Sequence, residues 1–268
     1  MWGGVLSIGS IRTASSYKTS FVIEQKLRIP LSEQAHHKGE EPYLSSPRTL
    51  QLWASTLVVL PVFLQAPWVR LHPVSACLFT AILLFTGIFL TITPKGKWVL
   101  AGSLLVGVSG SWLGGCLFWG WLREYPIWHL PVEAIALPIA LLGIKTRWSI
   151  GASFYLACLL GTACTDLMIF ITGVMSQWPA VVKASINQAP ELLNQTAQQL
   201  LELQSLTSLL VAGILIAYLA SAMRKKGLVN QESGNTWLVA SAALNTTLWI
   251  DGLFLLTALM APRLSGLI

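Results

Sequence analysis

The chain has 268 residues, of which 54% are hydrophobic and only 10% charged, and its mean hydropathy is +0.65. Soluble domains carry about a quarter charged residues, so this balance points to lipid as the solvent. A net charge of +6 does not point to nucleic acid, because Lys and Arg lie in short loops between apolar runs, with no zinc-knuckle spacing and no basic stripe interleaved with aromatics.

Residues 1–48 read as a polar tail of Ser, Gly, Pro and mixed charge, without an apolar stretch long enough for a secretory signal. Its first twenty residues hold Arg12, Lys18, several Ser and Thr and no acid, features shared with transit peptides. A disordered cytoplasmic extension is the expectation.

Residues 49–268 are expected to form an all-α transmembrane bundle. Apolar runs cover 50–68, 73–92, 98–121, 127–144, 148–173, 206–223 and 236–260. Each is close to the roughly 20 residues that a helix needs to cross about 30 Å of hydrocarbon. The fourth is the shortest and holds Pro131 and Pro138, with Pro126 just before it, so a kink or a re-entrant path is expected there.

Charge counting orients the bundle. With the N-terminus inside, six Lys/Arg in the tail and two, two and three in alternate loops are cytoplasmic. Only Arg70, Arg123, Lys183 and Arg263 then lie outside, which favours a cytoplasmic N-terminus and an outer C-terminus. Trp68, Trp98, Trp121, Trp148 and Trp237 stand at run ends, as in an aromatic belt. The longest connection, 174–205, is then external. An amphipathic segment near 180–204 places Leu193, Ala197 and Leu200 on one face, with the spacing of a helix lying on the membrane surface.

Two runs carry small residues every fourth position: Ser103, Gly107, Ser111 and Gly115 in the third, and Ser153, Ala157, Gly161 and Thr165 in the fifth. Such ladders let helix backbones approach closely in lipid, so these two helices are expected at the bundle centre. Cys77, Cys116, Cys158 and Cys164 all lie inside apolar runs without a CxxC, and read as small buried hydrophobes.

Of the 11 acids, three fall inside runs: Glu133, Asp166 and Asp251. Counting from the outer boundary, they lie six, seven and nine residues deep, roughly 9, 10 and 13 Å at the helix rise. Three helices thus bring a carboxyl group to similar depth. His129 is four residues before Glu133 on the same face, and Arg123 caps the outer end of the third helix within reach of them. An intramembrane charge costs roughly 2.5–3.5 kcal/mol on insertion scales, so the layer needs a reason. Either each carboxyl only fixes packing, neutral or paired with Arg123, or the layer works as a polar site.

Four chemistries fit: a proton or cation relay beside the Pro-broken helix, a metal site from the one histidine and the acids, a membrane enzyme using Glu133 as general acid, or a docking site within a larger complex flanked by Trp112, Trp119, Trp121 and Trp128. Spacing singles out no nucleophile, no phosphate loop and no cofactor. The site is therefore read as Glu133, Asp166, Asp251, His129 and Arg123, with no catalytic residue and no metal assigned.

The stretch SWLGGCLFWGWLREYPIWHLPVEAIALPIAL at 111–141 resembles the signature of a cyanobacterial membrane-protein family defined as a domain of unknown function. GTACTDLMIFITG at 161–173 and Asp251-Gly-Leu-Phe254 resemble its pattern too, and the likeness runs from residue 50 to the C-terminus. The resemblance implies a photosynthetic prokaryote, a thylakoid or plasma membrane, and that the five site residues fall within the stretches defining the family. By analogy it implies a non-enzymatic accessory or assembly factor engaging a larger membrane complex. The alternatives are a small proton- or cation-linked transporter or channel and, third, an enzyme acting on a lipid or isoprenoid.

Overall fold

The computed structural model describes residues 46–92, 96–230 and 233–264, so the expected tail lies outside the described residues as far as residue 45. Among the described residues the chain is helical, and seven helices are long and apolar enough to cross a membrane. These are α1 (Pro47–Leu71), α2 (Pro73–Ile92), α3 (Trp98–Leu122), α4 (Pro126–Gly143), α5 (Ser149–Ile171), α8 (Leu203–Val229) and α9 (Gly234–Met260). Between α5 and α8 lie two short helices, α6 (Trp178–Lys183) and α7 (Ala189–Gln199). The chain is an integral membrane protein. The side carrying 174–202 is called distal below, and the opposite side proximal.

Helix α3 is the axle of the bundle, and its glycines explain why. A Cβ on Gly102 would lie 2.8 Å from the Thr91 backbone N of α2, and one on Gly114 would lie 2.8 Å from the Glu133 Cα of α4. A Cβ on Gly107 would meet the backbone of Gly151 in α5, and one on Gly115 would meet the Gln65 side chain of α1. Four neighbours therefore approach one helix through residues without side chains, where dispersion and close backbone contact replace the hydrophobic drive that lipid lacks. Ser103 Oγ accepts the Gly151 N–H at 3.1 Å across the α3–α5 contact. Further along α5, Gly161 faces Thr247 of α9.

At the proximal end, α1 and α9 pack through Leu50, Ala54, Val239 and Ala243. Nearer mid-membrane, the Thr246 hydroxyl donates to Ser55 Oγ at 2.9 Å. Beyond that point α1 changes pitch. Pro61 has no N–H for the Leu57 carbonyl, and 61–65 becomes a π-helical turn in which the Ala66 N–H reaches Pro61 O. The wider turn aims Gln65 inward, where its Nε2 donates to Trp112 O at 2.6 Å and Cys116 Sγ at 2.9 Å. A second π-helical turn, 118–122, ends α3.

Helix α4 crosses, but in pieces: 3-10 turns at Pro126–Trp128 and Ala134–Ala136 separate short α-helical segments. Pro138 cannot donate to Ala134 O, so the Leu137 N–H does so instead and leaves the Glu133 carbonyl without its helical partner. The Tyr155 hydroxyl of α5 donates to that carbonyl.

Two local expectations meet a different arrangement. Trp68 is turned into the bundle, its ring 5.2 Å from Phe79 and 6.1 Å from Trp112, with Nε1 donating to Ser75 Oγ at 2.9 Å. The amphipathic helix α7 covers its apolar face with protein: Leu193 and Ala197 are buried against Val181 of α6 and Ala258 of α9. Asn194 Nδ2 donates to Leu259 O at 2.8 Å, occupying a carbonyl that the end of α9 leaves free. Gly173, with φ 77°, gives α5 the left-handed residue at its end that turns the chain toward these distal helices.

Candidate functional site

The broken α4 presents its polar face toward α5. His129 and Glu133 are one turn apart, and the imidazole stands between two carboxylates: Nδ1 is 2.8 Å from Asp166 Oδ1, and Nε2 is 3.3 Å from Glu133 Oε1. The other oxygen of Glu133 accepts the Thr162 hydroxyl at 2.7 Å. Asp251 of α9 comes to the same place through Thr165, whose hydroxyl lies 2.6 Å from Asp251 Oδ2 and 3.1 Å from Gly161 O. Phe118 lies against the His129 ring at 4.2 Å between centroids, and Trp119 meets its edge at 6.5 Å.

The 2.8 Å contact between Nδ1 and Asp166 is a hydrogen bond whose proton can sit on either partner, so a proton can shift between ring and carboxyl without changing the total charge of the trio. The Thr165 hydroxyl has a second acceptor in Gly161 O, which allows it to donate to an ionised Asp251 or to accept from a protonated one.

Glu133, Asp166, Asp251, His129 and Arg123 all line one cavity of about 430 Å³. Helices α1, α3, α4, α5 and α9 form its walls, and Met175, Trp178 and Val182 line its distal end. Its deep end is apolar, at Leu57, Val58, Val108 and Phe154. Arg123 does not pair with the acids as its position on the chain suggested. Its guanidinium makes no ion pair among the described residues, and His129 stands between Glu133 and Asp166 instead. The Arg123 backbone is fixed by Trp178, whose Nε1 donates to its carbonyl at 2.7 Å, and Lys183 ties α6 to Glu124 at 3.2 Å.

Several wall residues were not singled out by sequence reasoning. Arg70 lines the same cavity, although its place at a helix end reads as a topology charge. Gln65, also on the wall, acts across helices on Trp112 O, and Tyr155, outside the cavity, does so on Glu133 O; only Pro138 hints at the second of these. A metal has little purchase here: both imidazole nitrogens face carboxylates, and among the described residues no three His, Cys, Asp or Glu are arranged to hold one. Replacing Tyr155 by Phe should remove the cross-helix hydrogen bond to the Glu133 carbonyl at a cost of about 0.5–1.5 kcal/mol. A melting point unchanged from wild type in the purified Y155F chain would contradict this account of the α4 break.

Fold and site together define a polytopic membrane protein whose helices line a partly open, mostly apolar cavity that carries a few ionisable side chains. Over residues 54–259 the chain matches the family described as Protein of unknown function (DUF3120), and it belongs to that family. No curated protein and no solved structure matches it.

Proposed function

We propose that the chain is a proton-linked carrier of a small solute, with its distal side facing outward and its N-terminus in the cytoplasm. The observation that carries this reading is the His129 ring held between Glu133 and Asp166 on the wall of a cavity within the bundle. A cluster meant only to fix packing has no need of a chamber beside it, whereas a carrier needs a protonable group in contact with its cargo. Discontinuous helices commonly line such sites, and α4 and the π-helical turn of α1 both lie on this wall. The orientation rests on the distribution of Lys and Arg.

The test uses the purified full chain in vesicles that enclose a pH-sensitive dye, with the membrane potential set by potassium and valinomycin. With small organic solutes of differing charge supplied outside one class at a time, an acid exterior is expected to acidify the lumen faster than in protein-free vesicles for at least one class, and E133Q or D166N should remove at least about nine-tenths of that excess rate. Equal rates in wild type and both variants would remove proton linkage from the reading.

A second reading, an accessory or assembly factor of a photosynthetic membrane, is favoured by Ile186 and Leu201, large apolar side chains exposed on the distal connection. Native separation of membranes solubilised in mild detergent discriminates the two. Migration of a tagged chain with a large assembly supports the factor, and migration alone or as a small oligomer supports the carrier.

A further inference from the structure

The ionisable side chains of the cavity wall fall into two poles. The acidic pole is the cluster of Glu133, Asp166 and Asp251 around His129. The cationic pole is Arg70, at the distal end of α1, and Arg123, at the distal end of α3; both line the cavity. Among the described residues neither guanidinium has a carboxylate within ion-pair distance. No acid of the cluster pairs with either arginine, and the exposed Arg70 and half-buried Arg123 set two like charges on one rim of the cavity, a place suited to an anion. Planar guanidiniums suit a carboxylate, sulfonate or phosphate, which each can grip through two N–H groups.

The remaining wall describes the rest of the ligand. Phe63, Phe118, Trp119, Phe154 and Phe254 give it an aromatic and aliphatic lining. Val62 and Phe63 line the cavity while also being exposed on the bundle surface, just beyond the point where α1 and α9 part. That side offers a route from the bilayer.

We propose that the solute is an amphiphilic organic anion, its head held between Arg70 and Arg123 and its apolar body lying against the aromatic wall. The inference rests on the carrier reading and names its substrate class. It also sets the stoichiometry. An anion of charge −1 at the arginine pole and one proton on the acidic pole together leave the total charge of the wall unchanged. Anion and proton are therefore expected to bind with mutual preference, and the coupling must be reciprocal.

The experiment compares probes that differ only in head group, by thermal stabilisation of the full chain in lipid nanodiscs. Naphthalene sulfonate is offered from water beside naphthyl trimethylammonium and naphthalene methanol. Lysophosphatidic acid is offered from the bilayer beside lysophosphatidylcholine. At least one anion is expected to stabilise the chain saturably while its cationic, neutral or zwitterionic counterpart does not. R70Q and R123Q should each weaken that binding about tenfold or more, with R123K weakened less than R123Q. Their unliganded melting points check that the variants are folded.

Stabilisation by the sulfonate would mark a water-borne anion, and by the lysophosphatidic acid a bilayer-borne one; both support the class. Equal binding of the cation, or anion binding indifferent to both arginine substitutions, would overturn it, as would no saturable binding of either anion. Affinity should also rise by up to about tenfold per unit fall in pH, and E133Q should flatten this. Arginine-dependent binding without that pH slope leaves the substrate class standing and removes the proton linkage, so the two proposals fail separately.

Discussion

Replacing His129 by alanine is expected to lower the melting point of the purified chain by roughly 6–12 °C. The substitution leaves Glu133 and Asp166 facing a gap that the imidazole had bridged at 3.3 and 2.8 Å. Removing one partner of a buried ionic group costs roughly 3–5 kcal/mol, because the remaining charges stay buried without compensation. The side chains of His129, Glu133 and Asp166 are 20%, 19% and 13% exposed, so cavity water screens part of this and the loss should sit at the low end. About 3 kcal/mol corresponds to the stated shift for a chain of this size. The informative companion is H129L/E133L/D166L, which removes the whole trio and its desolvation cost together. Such exchanges are often neutral or stabilising, so the triple variant should melt near wild type. Under the carrier reading it should nonetheless show no excess proton flux. A stable triple variant that still acidifies vesicles at the wild-type rate would sink that reading. A single H129A chain as stable as wild type would show that the trio is not coupled as the geometry implies.

The sequence grouped Glu133, Asp166 and Asp251, which line one cavity, but did not show the contacts among them. Helix rise is fixed and the connections after α3 and α5 are short, so counting residues from a helix end places Glu133, Asp166 and Asp251 at one level. Which of them meet depends on the rotation of each helix about its axis. In a soluble protein the apolar stripe reveals that rotation, but α5 and α9 are apolar nearly all round, so the pattern carries no azimuth. The pairing of His129 with Asp166 across helices was therefore invisible, and Arg123 stood as the nearest cation by sequence. Arg70 was hidden for a different reason. A basic residue at a span end satisfies the positive-inside rule whether or not it also lines a chamber.

The fold itself was open to sequence reasoning because lipid leaves so few alternatives. Seven apolar runs must become helices once every backbone polar group has to be satisfied within its own segment. The fourth run shows where that logic stops. Its prolines forecast a break, but not that the freed Glu133 carbonyl would be taken by Tyr155, so that a side chain of α5 is committed by a proline in α4. The four-residue ladders were informative for the same physical reason that they are common. A glycine in a membrane helix costs little when a neighbouring backbone fills the space it leaves.

Glycines at helix contacts of different tightness allow a graded test of the bundle centre. Adding a Cβ at Gly107 brings it 2.7 Å from Gly151 Cα, and the obstructing atoms are backbone on both sides of the α3–α5 contact. Gly107→Ala should already lower accumulation several-fold, and Gly107→Leu should leave almost no folded chain. Overpacking of this kind costs about 1–3 kcal/mol when side chains can yield, and more when they cannot. Gly161→Ala should be milder, because its new methyl meets Thr247 Cγ2 at 2.7 Å and that side chain can rotate. Gly252 is the control: nothing lies within 4 Å of a Cβ there, and Gly252→Ala should be neutral or add up to about 1 kcal/mol from helix propensity. Membrane content and melting point of the four variants, measured side by side, check the series. Wild-type accumulation of Gly107→Ala would mean that α3 and α5 do not meet through Gly107 and Gly151. The wall that presents Glu133 and Asp166 to one cavity would then have to be rebuilt around a different pair of helices.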